Sequence, residues 1–141
     1  MRYLLLMAML MGDPTHDAKS TFSGFIVVVN EGNPVPSLSR PEISDLFLKK
    51  SSEWPKLGRV LPVDQPEGSA VRESFNREIH RKSSTAIRAY WQQRVFSGRD
   101  VPPPEKDGDQ EVLAYVRKNA GAIGYLSPKA STEGVKVLEV L

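Results

Sequence analysis

Pro62-Val63-Asp64-Gln65-Pro66-Glu67-Gly68-Ser69-Ala70-Val71-Arg72 is the stretch on which the fold turns: an extended apolar run stops at a Pro/Gly turn and the chain restarts as a helix. The first turn of a helix leaves backbone N–H groups unpaired and carries the positive end of the macrodipole, so an oxyanion placed there is held by geometry as well as charge. Gly68 lets the backbone approach a ligand closely, and Ser69 is a good N-cap whose hydroxyl can also donate. An ordinary capped turn needs the same Gly-Ser pair, so the motif alone leaves both readings open.

Working outward toward the C-terminus, Val71, Phe75 and Ile79 recur every four residues and predict a helix over 70–80. Ser83-Ser84 caps another helix, with Ile87, Tyr90, Trp91 and Val95 as its apolar face. Val101-Pro102-Pro103-Pro104 reads as a rigid extended spacer. Asp107 or Asp109 starts a further helix, with Val112, Leu113 and Val116 inward and Gly121 as its C-terminal stop. Two strands follow at 122–126 and 135–140.

Toward the N-terminus, Arg59–Asp64 reads as the second strand, reached through a turn-rich connection that begins at Trp54-Pro55. Ser39-Arg40-Pro41-Glu42 has capping-box spacing with proline in the first turn, and Ile43, Leu46 and Phe47 follow at helical spacing, which predicts a helix over 40–50. Phe25-Ile26-Val27-Val28-Val29 is a continuous, mainly β-branched run ended by Asn30-Glu31-Gly32-Asn33-Pro34, the pattern of a mid-sheet strand buried on both faces. Strands separated by helices predict an α/β fold, a mainly parallel sheet with helices on both faces.

At 141 residues, 40% apolar and 26% charged, the chain suits one domain with a useful core. The net charge of +2 is too small to indicate a nucleic-acid partner, but Arg72–Arg99 holds seven Arg/Lys against two Glu and forms a basic face. Absence of cysteine excludes disulfides and thiol chemistry. Arg2 precedes the apolar run Tyr3–Met11, which resembles a short secretory signal, although His16-Asp17-Ala18 marks no clean cleavage site. A hydrophobic first element of the domain is the competing reading. The run is shorter than the ~20 residues that span a bilayer, so no stable membrane anchor is expected. The expected layout is a signal peptide and linker over 1–21, one domain over 22–141, and a periplasmic or otherwise exported location.

Familiar catalytic arrangements do not emerge. Val71 stands where the last glycine of a Gly-x-Ser-x-Gly elbow would be, and no Gly-Lys-Ser/Thr follows the turn. His16 and His80 have no second strong ligand nearby in sequence, so no metal site is expected, and His80 reads as an ordinary helix residue. Glu105, Asp107, Asp109 and Glu111 surround a helix start, where acidic residues favour the dipole. Tyr90 and Trp91 fall on the packing side of their helix, which argues for core over base stacking. These readings predict a non-enzymatic protein without cofactor.

Taken together, Ile26–Pro34, the Leu38–Phe47 segment, Trp54, Pro62–Ser69 and Gly121-Ala122-Ile123-Gly124-Tyr125 resemble, in order and spacing, the phosphate-binding proteins of bacterial ABC transporters, which are type 2 periplasmic binding proteins. The likeness covers about residues 24–140. It implies a receptor-like lobe with phosphate or a similar oxyanion at the turn: Gly68 and Ser69 facing the ligand, the N–H groups of Ala70 and Val71 as further donors, Arg72 as the arginine that follows the turn, and Asn30 on the crossover strand near the cleft. Three departures weaken the implied site. Ala70 replaces the family's second glycine, Val71 its hydroxyl-bearing threonine, and Gln65 an arginine. Since the match spans one lobe, the expectation is a single periplasmic-binding-protein-like lobe with an anion site that binds weakly in the monomer, or better if a second subunit supplies the missing wall. The alternative is an envelope interaction module that has lost its ligand and meets a protein partner.

Overall fold

The computed structural model describes residues 24–141, so the expected signal peptide and linker over 1–21, and the first residues of the expected domain, lie outside the described part. In chain order the elements are β1 (Ile26–Asn30), β2 (Ser37–Leu38), α1 (Arg40–Phe47), β3 (Glu53–Trp54), β4 (Gly58–Arg59), β5 (Leu61–Pro62), α2 (Ala70–Phe75, continued as a π turn over Asn76–His80), α3 (Ser84–Phe96), α4 (Asp109–Lys118), β6 (Ala122–Leu126), β7 (Val135–Val137) and β8 (Glu139–Val140). A four-stranded sheet runs in the order β5-β6-β1-β7, and β2 with β8 and β3 with β4 form two small pairs.

The apolar run of β1 sits mid-sheet, as its pattern requires. Its alternate side chains enter two separate cores, since successive residues of a strand point to opposite faces. Val27 and Val29 pack with α1, Phe75, Ile79 and Tyr125 on one face, while Val28 packs with Val63, Val112 and Val116 on the other. The sheet is mixed. β5, β6 and β7 point the same way, and β1 runs antiparallel to both of its neighbours, with Val28 opposite Gly124 and Val137.

The capping box of α1 forms in both directions: Glu42 N donates to Ser39 Oγ at 3.2 Å and Ser39 N to Glu42 Oε1 at 2.8 Å. The helix stops at Phe47 rather than at 50, with Lys49 at φ 58° leaving the helical region. The strand expected over 59–64 is divided. Gly58–Arg59 folds back on Glu53–Trp54, and only Leu61–Pro62 pairs with β6, flanked by bonds from Leu61 N to Gly121 O and Val63 N to Ile123 O, both 2.9 Å. Pro62 lacks an N–H to give, which suits an edge strand whose alternate residues face away from the ladder. Val95, expected inward on α3, is 49% exposed, whereas Ile87 and Trp91 are buried.

Gly121 is not the helix stop that its position suggests: α4 ends at Lys118, with Asn119 extended behind it. Glycine is required there for another reason. A Cβ at Gly121 would lie 2.1 Å from the Arg59 carbonyl oxygen, while the Gly121 carbonyl accepts from Leu61 N and from Trp54 Nε1, each at 2.9 Å. Gly121→Ala should therefore force backbone apart and cost about 3 kcal/mol or more, because the obstructing atom cannot rotate away. At Gly68, φ is +94° but the space beside it is open. Gly68→Ala should cost only about 1–2 kcal/mol, from backbone conformation alone. Urea unfolding of the two variants checks the order, and equal midpoints would refute it.

Candidate functional site

The carboxyl ends of β5 and β6 meet the start of α2 and the strap over 101–106 that joins α3 to α4. This edge of an α/β sheet is where ligands commonly bind. Ser69, extended at φ −72°, ψ 149°, is the N-cap of α2, and its Oγ accepts from Arg72 N at 3.3 Å. Glu73 N donates to Ser69 O and Ser69 N to Pro66 O, both at 3.0 Å. The N–H groups of Ala70 and Val71 have no partner among the described residues. The Ser69 hydroxyl proton is likewise free to donate, because its oxygen serves only as an acceptor to the backbone.

Gly68, Ser69, Ala70, Val71 and Arg72 thus share one turn, but Arg72 is not turned toward a ligand there. Its side chain is buried, and Nη1 donates to Gln65 O at 3.0 Å and Glu105 Oε2 at 2.7 Å. Its Nε lies 3.8 Å from Asp64 Oδ1, close enough for charge attraction but too far for a hydrogen bond, and has no hydrogen-bond partner. Asn30 is at the opposite end of the sheet. The start of β1, Ile26, lies beside Leu126 at the carboxyl end of β6, so Asn30 at the far end of β1 is remote from the turn. Its Nδ2 donates to Val116 O at 2.8 Å and Arg117 O at 3.1 Å, and its Oδ1 accepts from Gly32 N at 2.9 Å. That side chain satisfies the last carbonyls of α4, which a helix end leaves without partners.

Five residues to which the motifs assign no ligand role, Asp64, Gln65, Glu105, Asp109 and Tyr125, organise the site. Tyr125 Oη donates to Asp64 Oδ1 at 2.5 Å and accepts from Gln65 N at 3.1 Å. Gln65, at the position where the resemblance expects an arginine, is turned inward, its Nε2 donating to Asp109 Oδ1 at 2.9 Å and Tyr125 O at 3.0 Å. Glu105, expected to act with Asp107, Asp109 and Glu111 at a helix start, instead holds Arg72. Asp109 does begin α4 and also accepts from Ser127 N at 3.0 Å. The signal available in sequence was Asp64-Gln65 directly after an apolar strand, since a buried charge must find partners.

Burial pushes the Asp64 carboxyl up to about 6; Arg72 and the Tyr125 hydrogen bond act against this, and Glu105 adds to it. Burial also raises the Tyr125 phenol, as does the neighbouring Asp64 carboxylate. His80, in the π turn, is buried with Nδ1 2.8 Å from Ser44 Oγ on α1. Burial lowers its pKa to about 4, and the positive charges of Arg72, Lys82 and Lys50 add to the effect. Among the described residues there is no cluster of three or more His, Cys, Asp or Glu able to hold a metal, and no helix long and apolar enough to cross a membrane.

No protein-family model and no curated protein matches the chain. Solved structures do. A protein from Clostridium perfringens, assigned as a phosphate ABC transporter substrate-binding protein and holding phosphate, superposes with a TM-score of 0.67 at 22% identity over 84% of this chain and 45% of its own. An ABC-type phosphate transport receptor from Vibrio cholerae gives 0.65 at 20% identity, over 84% and 47% respectively. PstS from Borrelia burgdorferi gives 0.64 at 12% identity, over the same shares. The fold is therefore that of a single lobe of such receptors, and the chain spans about half their length.

Asp64 and His80 drive stability in opposite directions as pH falls. The folded pKa of Asp64 is raised from 3.8 to about 6, so its contribution is complete below 3.8 and is lost as pH rises through 6. The folded pKa of His80 is lowered from 6.5 to about 4, so its contribution is complete above 6.5 and is lost as pH falls through 4. Each effect is of order 3 kcal/mol from 1.36 kcal/mol per pKa unit, so they nearly cancel. Between pH 6.5 and 4, Asp64→Asn should lose stability relative to wild type and His80→Asn should gain it, as read by denaturant unfolding across pH. Parallel pH curves for the two variants would refute the assignment.

Proposed function

We propose that this chain binds phosphate or a similar tetrahedral oxyanion at the Gly68–Ser69 turn, acting by binding rather than catalysis as one lobe of a receptor-like protein outside the cytoplasm. The observation that carries the reading is the pair of unpartnered amides, Ala70 and Val71 N–H, beside a serine hydroxyl with a proton to give. Together they supply three donors at the positive end of a helix. Support from outside the chain comes from the phosphate-bound structure from C. perfringens, which shares the fold of this lobe.

Binding should be weak. Arg72 spends its charge on Glu105 and Asp64, Gln65 faces inward, and Val71 has no hydroxyl, so backbone dipoles carry most of the attraction. The carboxyl groups of Asp64 and Glu105 also outnumber the guanidinium of Arg72, which leaves the site without excess positive charge. A facing subunit would supply the second wall that a cleft needs.

Ala70→Pro tests the amide directly. Proline is tolerated at the first helical position, where its missing N–H would be unpaired anyway, and Ser69 already has the extended conformation that precedes proline. The variant should melt like wild type yet bind phosphate about tenfold more weakly, and Ser69→Ala should weaken binding by about tenfold to a hundredfold, since a hydrogen bond to a charged group contributes ~1.5–3 kcal/mol. Calorimetric titration measures both. Unchanged affinity in both variants would place the anion elsewhere on the protein.

A further inference from the structure

An open groove of about 630 Å³ runs along α3 to Glu67 and Arg72, which flank the turn in sequence. One wall is apolar, formed by Trp91, Val95 and Phe96 of α3 facing Pro102 of the strap, and its polar end is formed by two ion pairs, Arg72 with Glu105 and Arg88 with Glu67. Phe96 is 93% exposed at the lip. A large aromatic left in water at the edge of an apolar groove marks a surface made to be covered. The volume lies within the roughly 300–1,000 Å³ of small-molecule sites.

The exchangeable pair at the polar end selects the occupant. Of the basic residues between Ile79 and Arg99, a stretch without Asp or Glu, Arg88 lines the groove. Among the described residues Arg88 is held only by Glu67, in an exposed pair with contacts of 3.0–3.3 Å. An exposed ion pair of this kind contributes little and is readily exchanged for a better acceptor such as a phosphate. Inorganic phosphate has no apolar surface and would leave the groove empty. From Arg88 to Phe96 the helix rises about 12 Å at 1.5 Å per residue, enough for a two-ring aromatic or a short alkyl chain.

We propose that the groove holds the apolar body of a soluble organic phosphate monoester, with its rings or chain along Trp91, Val95 and Phe96 and its oxyanion at Arg88 and the adjoining Ser69 turn. This rests on the oxyanion reading of the turn and names the class of ligand it serves. Glu67 is displaced from Arg88 by the phosphate, and Phe96 closes over the apolar body.

Calorimetry with 1-naphthyl phosphate, inorganic phosphate and 1-naphthol, at one pH and salt concentration, tests the assignment. The monoester should bind about tenfold or more tightly than inorganic phosphate, the scale expected from covering roughly 100 Å² of apolar surface. Phe96→Ser and Val95→Ser, both at exposed positions, should erase that advantage, and Arg88→Gln should weaken the monoester. If inorganic phosphate binds and the monoester binds no more tightly, the groove is not part of the site, although the oxyanion reading stands. If neither binds, both fall. If 1-naphthol binds as tightly as its phosphate, or anionic phosphatidylglycerol vesicles bind through Phe96 while the monoester shows no preference, the assignment is overturned.

Discussion

Asp64 places a carboxylate inside the protein at the end of β5, and the elements around the candidate site are arranged to answer it. The answer comes from three directions at once. Tyr125 on β6 donates its hydroxyl, Arg72 in the first turn of α2 brings its guanidinium within 3.8 Å, and the strap bonds its backbone on either side, Asp64 N to Pro104 O and Lys106 N to Asp64 O, both at 2.9 Å. A buried charge without such partners would be far too costly to keep. The group that is hardest to bury therefore joins strand, helix and strap, and it sets the height at which α2 begins above the sheet edge. The Phe75 ring, stacked on Tyr125 at 4.0 Å between centroids, fixes the same helix from its apolar side.

That arrangement has a consequence for recognition. Drawing Arg72 inward removes the one side-chain cation of the turn from a ligand's reach and leaves donors that belong to the backbone. Amide donors are already oriented and lose no side-chain entropy on binding, but they carry only partial charge. Attraction for an anion at the turn is therefore modest and depends on what else a ligand can cover. The apolar wall of α3, with Arg88 held only by an exchangeable surface pair, lies where such additional contact is available.

Local patterns were legible wherever one short stretch carried its own reason. The Ser39–Glu42 box, the four-residue spacing of Val71, Phe75 and Ile79, and the unbroken apolar run of β1 each describe a structure whose cause lies within a few residues. The same is true of Ser69, whose capping role follows from its place before a helix. Asn30, Arg72 and Glu105 are less legible because each has a partner 33 to 87 residues away in sequence. The constraint on Gly121 is hidden for the same reason: it is the Arg59 carbonyl, which no neighbouring residue announces.

The amino-acid order by itself determined the class of fold, the number and rough extent of the helices, the central strand and the capped turn at Ser69, because periodicity and capping are short-range physics. Tertiary structure alone decided that β1 opposes its neighbours, that Arg72 serves a buried carboxylate instead of a ligand, that Asn30 completes the end of α4, and that an apolar groove lies along α3. Those outcomes depend on which distant groups meet once the sheet closes, and the pairing of a buried charge is settled by three-dimensional proximity rather than by spacing along the chain.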